Sequence, residues 1–150
     1  MPATPVAIEI PAWTWLAGHP WLYPVLEALH ICGIALLLGS LVLFELRVWG
    51  LGTTLPPQAL GRLALGVSLA GFSLAAATGL LMFSTQPAEL LVNRAFRLKF
   101  ALLTLAGLNA AAFHARGGLA KLDAMARLQT VVSLGLWLAV IICGRWIAYA

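Results

Sequence analysis

The sequence predicts an all-α integral membrane protein: an antiparallel four-helix bundle with a short N-terminal interfacial segment, in a single transmembrane domain over 1–150. Three observations predict it. Of the 150 residues, 62% are hydrophobic and 9% charged, whereas a soluble domain averages about 25% charged. Mean hydropathy is +0.97. Apolar stretches at 24–50, 58–84, 95–114 and 128–148 are each long enough, at about 1.5 Å per residue, to cross a hydrocarbon core of about 30 Å. The short loops between them imply an up-down-up-down order with both termini on one side.

Composition also narrows the function. The net charge of +4 comes from nine scattered basic residues rather than a patch, which argues against nucleic-acid binding. There is no Ser-His-Asp set, phosphate loop or HExxH pattern to support a hydrolase or transferase. The opening MPATPVAIEIPAW lacks a basic n-region, so no cleaved signal peptide is expected. Residues 1–22 mix Pro2, Pro5, Pro11 and Pro20 with Trp13, Trp15 and Trp21, which suits a piece lying at headgroup depth, with His19 solvated at its end.

The first span carries its own charges. Trp21 and Tyr23 bracket one end and Trp49 the other, as interfacial aromatic belts do. At about 100° per residue, Glu27, His30, Ile34, Leu37, Leu41 and Glu45 fall within roughly 80° of one another. Carboxylates and an imidazole are costly against lipid, so this stripe is expected to face protein. Gly50, Gly52 and Pro56-Pro57 then break the chain.

The second span repeats small residues (Gly61, Ala64, Ser68, Gly71, Ala75 and Gly79) at spacings of three and four, predicting a close packing face. The third holds Arg97 and Lys99 early, then Gly107, Asn109 and His114. After Gly117-Gly118 and a polar stretch with Lys121, Asp123 and Arg127, the fourth carries Gln129, Ser133 and Arg145. Its strip of Gly135, Ala139 and Cys143 is expected to pair with span two. Cys32 projects about 160° from His30, so it and Cys143 are read as free thiols.

Lysine and arginine divide five (Arg47, Arg62, Arg116, Lys121, Arg127) against four (Arg94, Arg97, Lys99, Arg145) between the two sides. The first basic residue, Arg47, directly follows span one, which places both termini outside by the positive-inside rule.

Counting residues from each midpoint predicts two polar levels. Glu27, His30, Lys99 and Arg145 gather on the side of the termini, and Glu45, Asn109 and His114 on the other, with Arg62 and Gln129 near the boundary. His30 and His114 then differ in depth by about 25 Å, too far to ligate one haem iron together. Each could serve alone, with an arginine such as Arg145 on a propionate. His30 with Glu27, spaced i, i+3, and His19 folded over from the surface would alternatively suit copper or zinc. The competing expectation is that the charges only pair: Glu27 with Arg145 or Lys99, and Glu45 with Arg62 or His114. A proton or small-solute conduit is the third.

The chain resembles a family of small bacterial four-span membrane proteins of unknown function. The resemblance rests on Leu26-Glu27-Ala28-Leu29-His30 through Glu45-Leu46-Arg47, where glutamate replaces the usual aspartate at 45. It continues through Asn93-Arg94-Ala95-Phe96-Arg97-Leu98-Lys99, with arginine where proline is usual, then Asn109 to His114 and Gly144-Arg145-Trp146-Ile147-Ala148-Tyr149. More distantly, the bundle is similar to copper-resistance D proteins and small b-type cytochromes, which implies haem b or copper as a cofactor. The resulting expectation is a multi-pass protein of a bacterial inner membrane, in a redox or accessory role, with a homo-oligomer or redox partner. His30, Glu27, Lys99 and Arg145 are the cofactor candidates, and His30 and His114 the metal ligands. The alternatives are a structural or assembly subunit and the conduit.

Overall fold

The computed structural model describes residues 18–149, so nearly all of the expected interfacial segment lies outside the described residues. The elements are α1 (Leu22–Val48), α2 (Pro57–Thr85), a short α3 (Pro87–Val92), α4 (Arg94–Ala115), a one-turn α5 (Gly118–Lys121), α6 (Ala124–Trp146) and a closing 3₁₀ turn (Ile147–Tyr149). α1, α2, α4 and α6 are each long and apolar enough to cross a membrane.

Local chemistry sets the ends of these helices. Pro57 and Pro87 open α2 and α3 at positions where a missing N–H costs nothing. Asn93 Oδ1 accepts from Ala95 N (2.9 Å) and Phe96 N (3.2 Å), capping α4. The helix therefore starts firmly at Arg94. Asp123 caps α6 by accepting from Ala126 N at 2.9 Å, so that helix begins at Ala124 rather than at 128.

α1 and α2 form the tightest pair. A Cβ on Gly33 would lie 2.7 Å from Ala75 N and 2.8 Å from Gly71 O. One on Gly71 would lie 2.6 Å from both Gly33 O and Leu37 N. Only hydrogen at both positions lets the backbones approach this closely. The small-residue face of span two is buried accordingly: Gly61, Ala64, Ser68, Gly71 and Ala75. Ser40 and Ser68 hydrogen-bond across the same seam at 2.7 Å.

α4 and α6 form the second hairpin, in which Asn109 Nδ2 donates to Gln129 O at 2.9 Å. The two hairpins touch mainly through α1 and α6. Trp49 Nε1 donates to Thr130 Oγ1 at 2.8 Å, and Val48, Phe113 and Ala126 form a core with Phe44, Leu119 and Leu122 packed on it. α2 reaches α4 through the stacked rings of Phe83 and Phe96, and α6 through an edge contact of Phe72 with Trp137. The expected pairing of Gly135, Ala139 and Cys143 with α2 is therefore not how these helices meet. Gly135 is exposed, with nothing within 4 Å of where its Cβ would be. Leucines such as Leu63 and Leu108 point outward, 66% and 62% exposed, as a lipid-facing surface requires.

Candidate functional site

Glu45 sits one turn before the end of α1 and is 2% exposed. Its burial follows from its neighbours. Phe44, Val48 and Trp49 anchor that end of α1 to α4, α5 and α6, and the carboxyl group is drawn in with them. Neither Glu45 oxygen has a hydrogen-bond partner among the described residues. Ser133 on α6 lies beside it without closing a bond. An unpaired carboxyl group in an apolar setting costs several kcal/mol if ionised, so this arrangement needs an explanation.

Glu45 lines a cavity of about 250 Å³ between the hairpins, with both carboxyl oxygens themselves covered. Apart from Ser133, its other buried polar walls are occupied. Ser68 bonds Ser40, Asn109 bonds the Gln129 carbonyl, Gln129 Oε1 accepts from Arg116 Nε at 2.9 Å, and Thr130 accepts from Trp49. His114 also lines the cavity, although the residue is largely exposed and its ring meets the Phe113 edge. The predicted grouping of Glu45, Asn109, His114 and Gln129 thus forms around one space. Arg62 is exposed outside it.

No family model, curated protein or solved structure matches this chain.

At the other level the outcome is mixed. His30 turns toward α2, where Nδ1 bonds Ala75 O at 2.8 Å and Thr78 Oγ1 at 3.1 Å. A backbone carbonyl can only accept, so Nδ1 carries the proton and Nε2 is left with a lone pair. Lys99, half-buried beside Cys143 and Gly144, lies close enough to His30 for its charge to be felt. Glu27, however, is exposed, and Arg145 is exposed and engaged with its own helix end. Arg145 Nη2 donates to Tyr149 Oη at 3.3 Å, with the guanidinium 5.6 Å from the ring centre.

The expected charge pairing is accordingly not formed. Among the described residues the ion pair is Arg116 with Asp123, at 2.7 Å in the loop before α6. Its guanidinium, together with the Ala126 N–H, holds the Asp123 carboxyl well below the usual carboxylate range. Glu27 meets neither Arg145 nor Lys99 because its flank of α1 is left exposed among the described residues, and Arg145 has Tyr149 one turn away. Glu45 pairs with neither Arg62 nor His114 because Arg62 is exposed and His114 closes no bond to it. No group of three or more His, Cys, Asp or Glu side chains able to hold a metal converges among the described residues, and Cys32 and Cys143 are free thiols.

Sequence reasoning missed Thr78, Phe72 and Trp137. Thr78 is buried at 4% and partners His30. Its signal was a small hydroxyl residue that continues the alternation of three and four from Ala75. Phe72 and Trp137 carried no signal beyond apolar character.

Proposed function

We propose that this multi-pass membrane protein takes a small solute into the Glu45 cavity, as the entry half of a small-solute or proton path. One observation carries the reading: Glu45, 2% exposed and with no partner for its carboxyl group among the described residues, lines a cavity of about 250 Å³ whose other buried polar groups are satisfied. Binding sites leave such groups unpaired because the ligand completes them. The apolar middle of the bundle and the tight Gly33–Gly71 seam support access from the Glu45 end only, with closure at the other. Charge placement in the first loop supports termini outside a bacterial inner membrane.

The test is flux of small solutes and protons into liposomes, alongside binding to the purified protein. Gly107 lines the cavity with nothing within 4 Å of where a Cβ would be, so a side chain can start there without a clash at its first carbon, and Gly107→Leu adds volume. Both Gly107→Leu and Glu45→Gln are expected to remove binding and flux. Retention of both activities in both variants overturns the reading.

A second reading, binding of haem b or copper in a redox or accessory role, is favoured by His30. Its Nδ1–H is held by a backbone carbonyl, an arrangement that orients a ligating imidazole and leaves Nε2 available. Lys99 is the cation close by, whereas Glu27 and Arg145 would have to be recruited by the cofactor or by a second copy of the chain. A Soret band or stoichiometric copper in the purified protein, lost in His30→Ala, is its expected signature. Absence of both removes it.

A further inference from the structure

Each of the four spans contributes one aromatic ring to the Glu45 cavity: Phe44 from α1, Phe72 from α2, Phe113 from α4 and Trp137 from α6. The rings meet in two edge-on pairs, Phe44 with Phe113 at 6.0 Å and Phe72 with Trp137 at 6.3 Å between centroids. Ring faces carry negative potential and attract cations, most strongly once water is excluded. Among the described residues, the fully buried side-chain group left unpartnered beside them is the Glu45 carboxyl. A space lined by aromatic rings and by Glu45 disfavours anions and offers a neutral ligand little beyond apolar contact.

We propose that the cavity takes a small organic cation, a protonated amine or quaternary ammonium of single-ring size, in exchange for the proton of Glu45. The inference rests on the reading that this cavity binds a solute, and it supplies the chemical class. A volume of about 250 Å³ falls below the range of about 300–1,000 Å³ of drug-sized pockets, which limits the ligand to one ring or a short chain. In the exchange the Glu45 O–H bond breaks, the proton leaves to water, and the carboxylate left behind pairs with the cation. No bond forms to the ligand and no electron moves. The site is electrically neutral before and after, so neither state buries an unpaired charge in the membrane.

Affinity therefore falls as pH falls, because protons compete for the carboxylate. The other titratable and charged groups on the surrounding elements are few. His114 on α4 lines the cavity, Arg116 at the end of α4 is held by Gln129 and Asp123, and Arg62 on α2 and Arg127 on α6 are exposed.

The experiment is isothermal titration of the purified full chain with benzyltrimethylammonium and with neopentylbenzene, its uncharged carbon isostere. Titration in two buffers of different ionisation enthalpy counts the protons released. The expected result is preference for the cation, with close to one proton released per cation. Glu45→Gln, verified as folded by its thermal transition, is expected to release none and to bind the cation at least roughly thirtyfold more weakly, equivalent to about 2 kcal/mol. Equal binding of both ligands without proton release, lost in Gly107→Leu, overturns the cation inference while the solute-binding reading stands. Binding of neither ligand, or binding unchanged in Gly107→Leu, overturns both. Proton release that vanishes in His114→Gln and persists in Glu45→Gln assigns the exchange to the imidazole and overturns the inference as well.

Discussion

Glu27 and Glu45 lie on the same side of the same helix. Eighteen residues separate them, five whole turns at 3.6 residues each, so their side chains leave α1 in the same direction. One is exposed and the other is 2% exposed. The difference lies in what stands opposite. At the Glu45 end, Phe44, Val48 and Trp49 draw α4, α5 and α6 over that flank. At the Glu27 end α1 is committed to α2, through Gly33, Gly71 and the His30 bond to Ala75. A helix fixes the direction of a side chain, and its neighbours decide whether that direction is inside or outside.

Substitutions at the two ends can break or sharpen this contrast. The largest effect is expected at Gly71→Leu, where the first added carbon would already fall 2.6 Å from α1 backbone atoms. Overpacking of this kind costs about 3 kcal/mol or more, and the folded fraction recovered in detergent should drop sharply. Next, Glu45→Met should stabilise the ligand-free protein by about 1–3 kcal/mol, the desolvation penalty of an unsatisfied group, and abolish binding. The same substitution at Glu27 should leave the thermal midpoint nearly unchanged. Equal shifts at both positions would mean that Glu27 is covered in the membrane after all, as by a second copy.

His30→Ala should cost about 0.6–1 kcal/mol, the usual worth of a side-chain hydrogen bond between membrane helices, read as a small fall in midpoint. The smallest change is expected outside the membrane. The folded-state titration of Asp123 is depressed by Arg116 and by the Ala126 N–H, so its contribution to stability is complete above the unfolded value of about 4. It is lost as pH falls below that, through the lower folded value. Asp123→Ala should therefore lower the midpoint at neutral pH, and mutant and wild type should converge in strong acid.

Helix number and the small-residue face of α2 were legible because each is a repeat in sequence and the bilayer demands it; the stripe on α1 held from His30 to Glu45 but failed at Glu27, which is exposed. Depth counting also brought Glu45, Asn109 and His114 to one level, with Arg62 and Gln129 at its boundary, and all of these but Arg62 line one cavity. The predicted ion pairs were not legible in the same way. Partner choice depends on rotation between helices, and Arg145 found Tyr149 in its own helix end before any carboxylate. The aromatic box escaped notice for a related reason. Phe44, Phe72, Phe113 and Trp137 are far apart in sequence, and each alone reads as ordinary membrane apolarity. Convergence is a property of the packed bundle.

The uneven seams of that bundle have a mechanical consequence. Each hairpin is knitted internally, α1 to α2 by close backbone contact and α4 to α6 along their length, whereas the halves join mainly along α1 and α6. Two rigid halves on a sparse joint favour sliding as units, the shear type of motion, over bending of any one helix. The void beside Glu45 can thus widen or shut with every span intact, so a visiting molecule need unwind nothing to enter or leave.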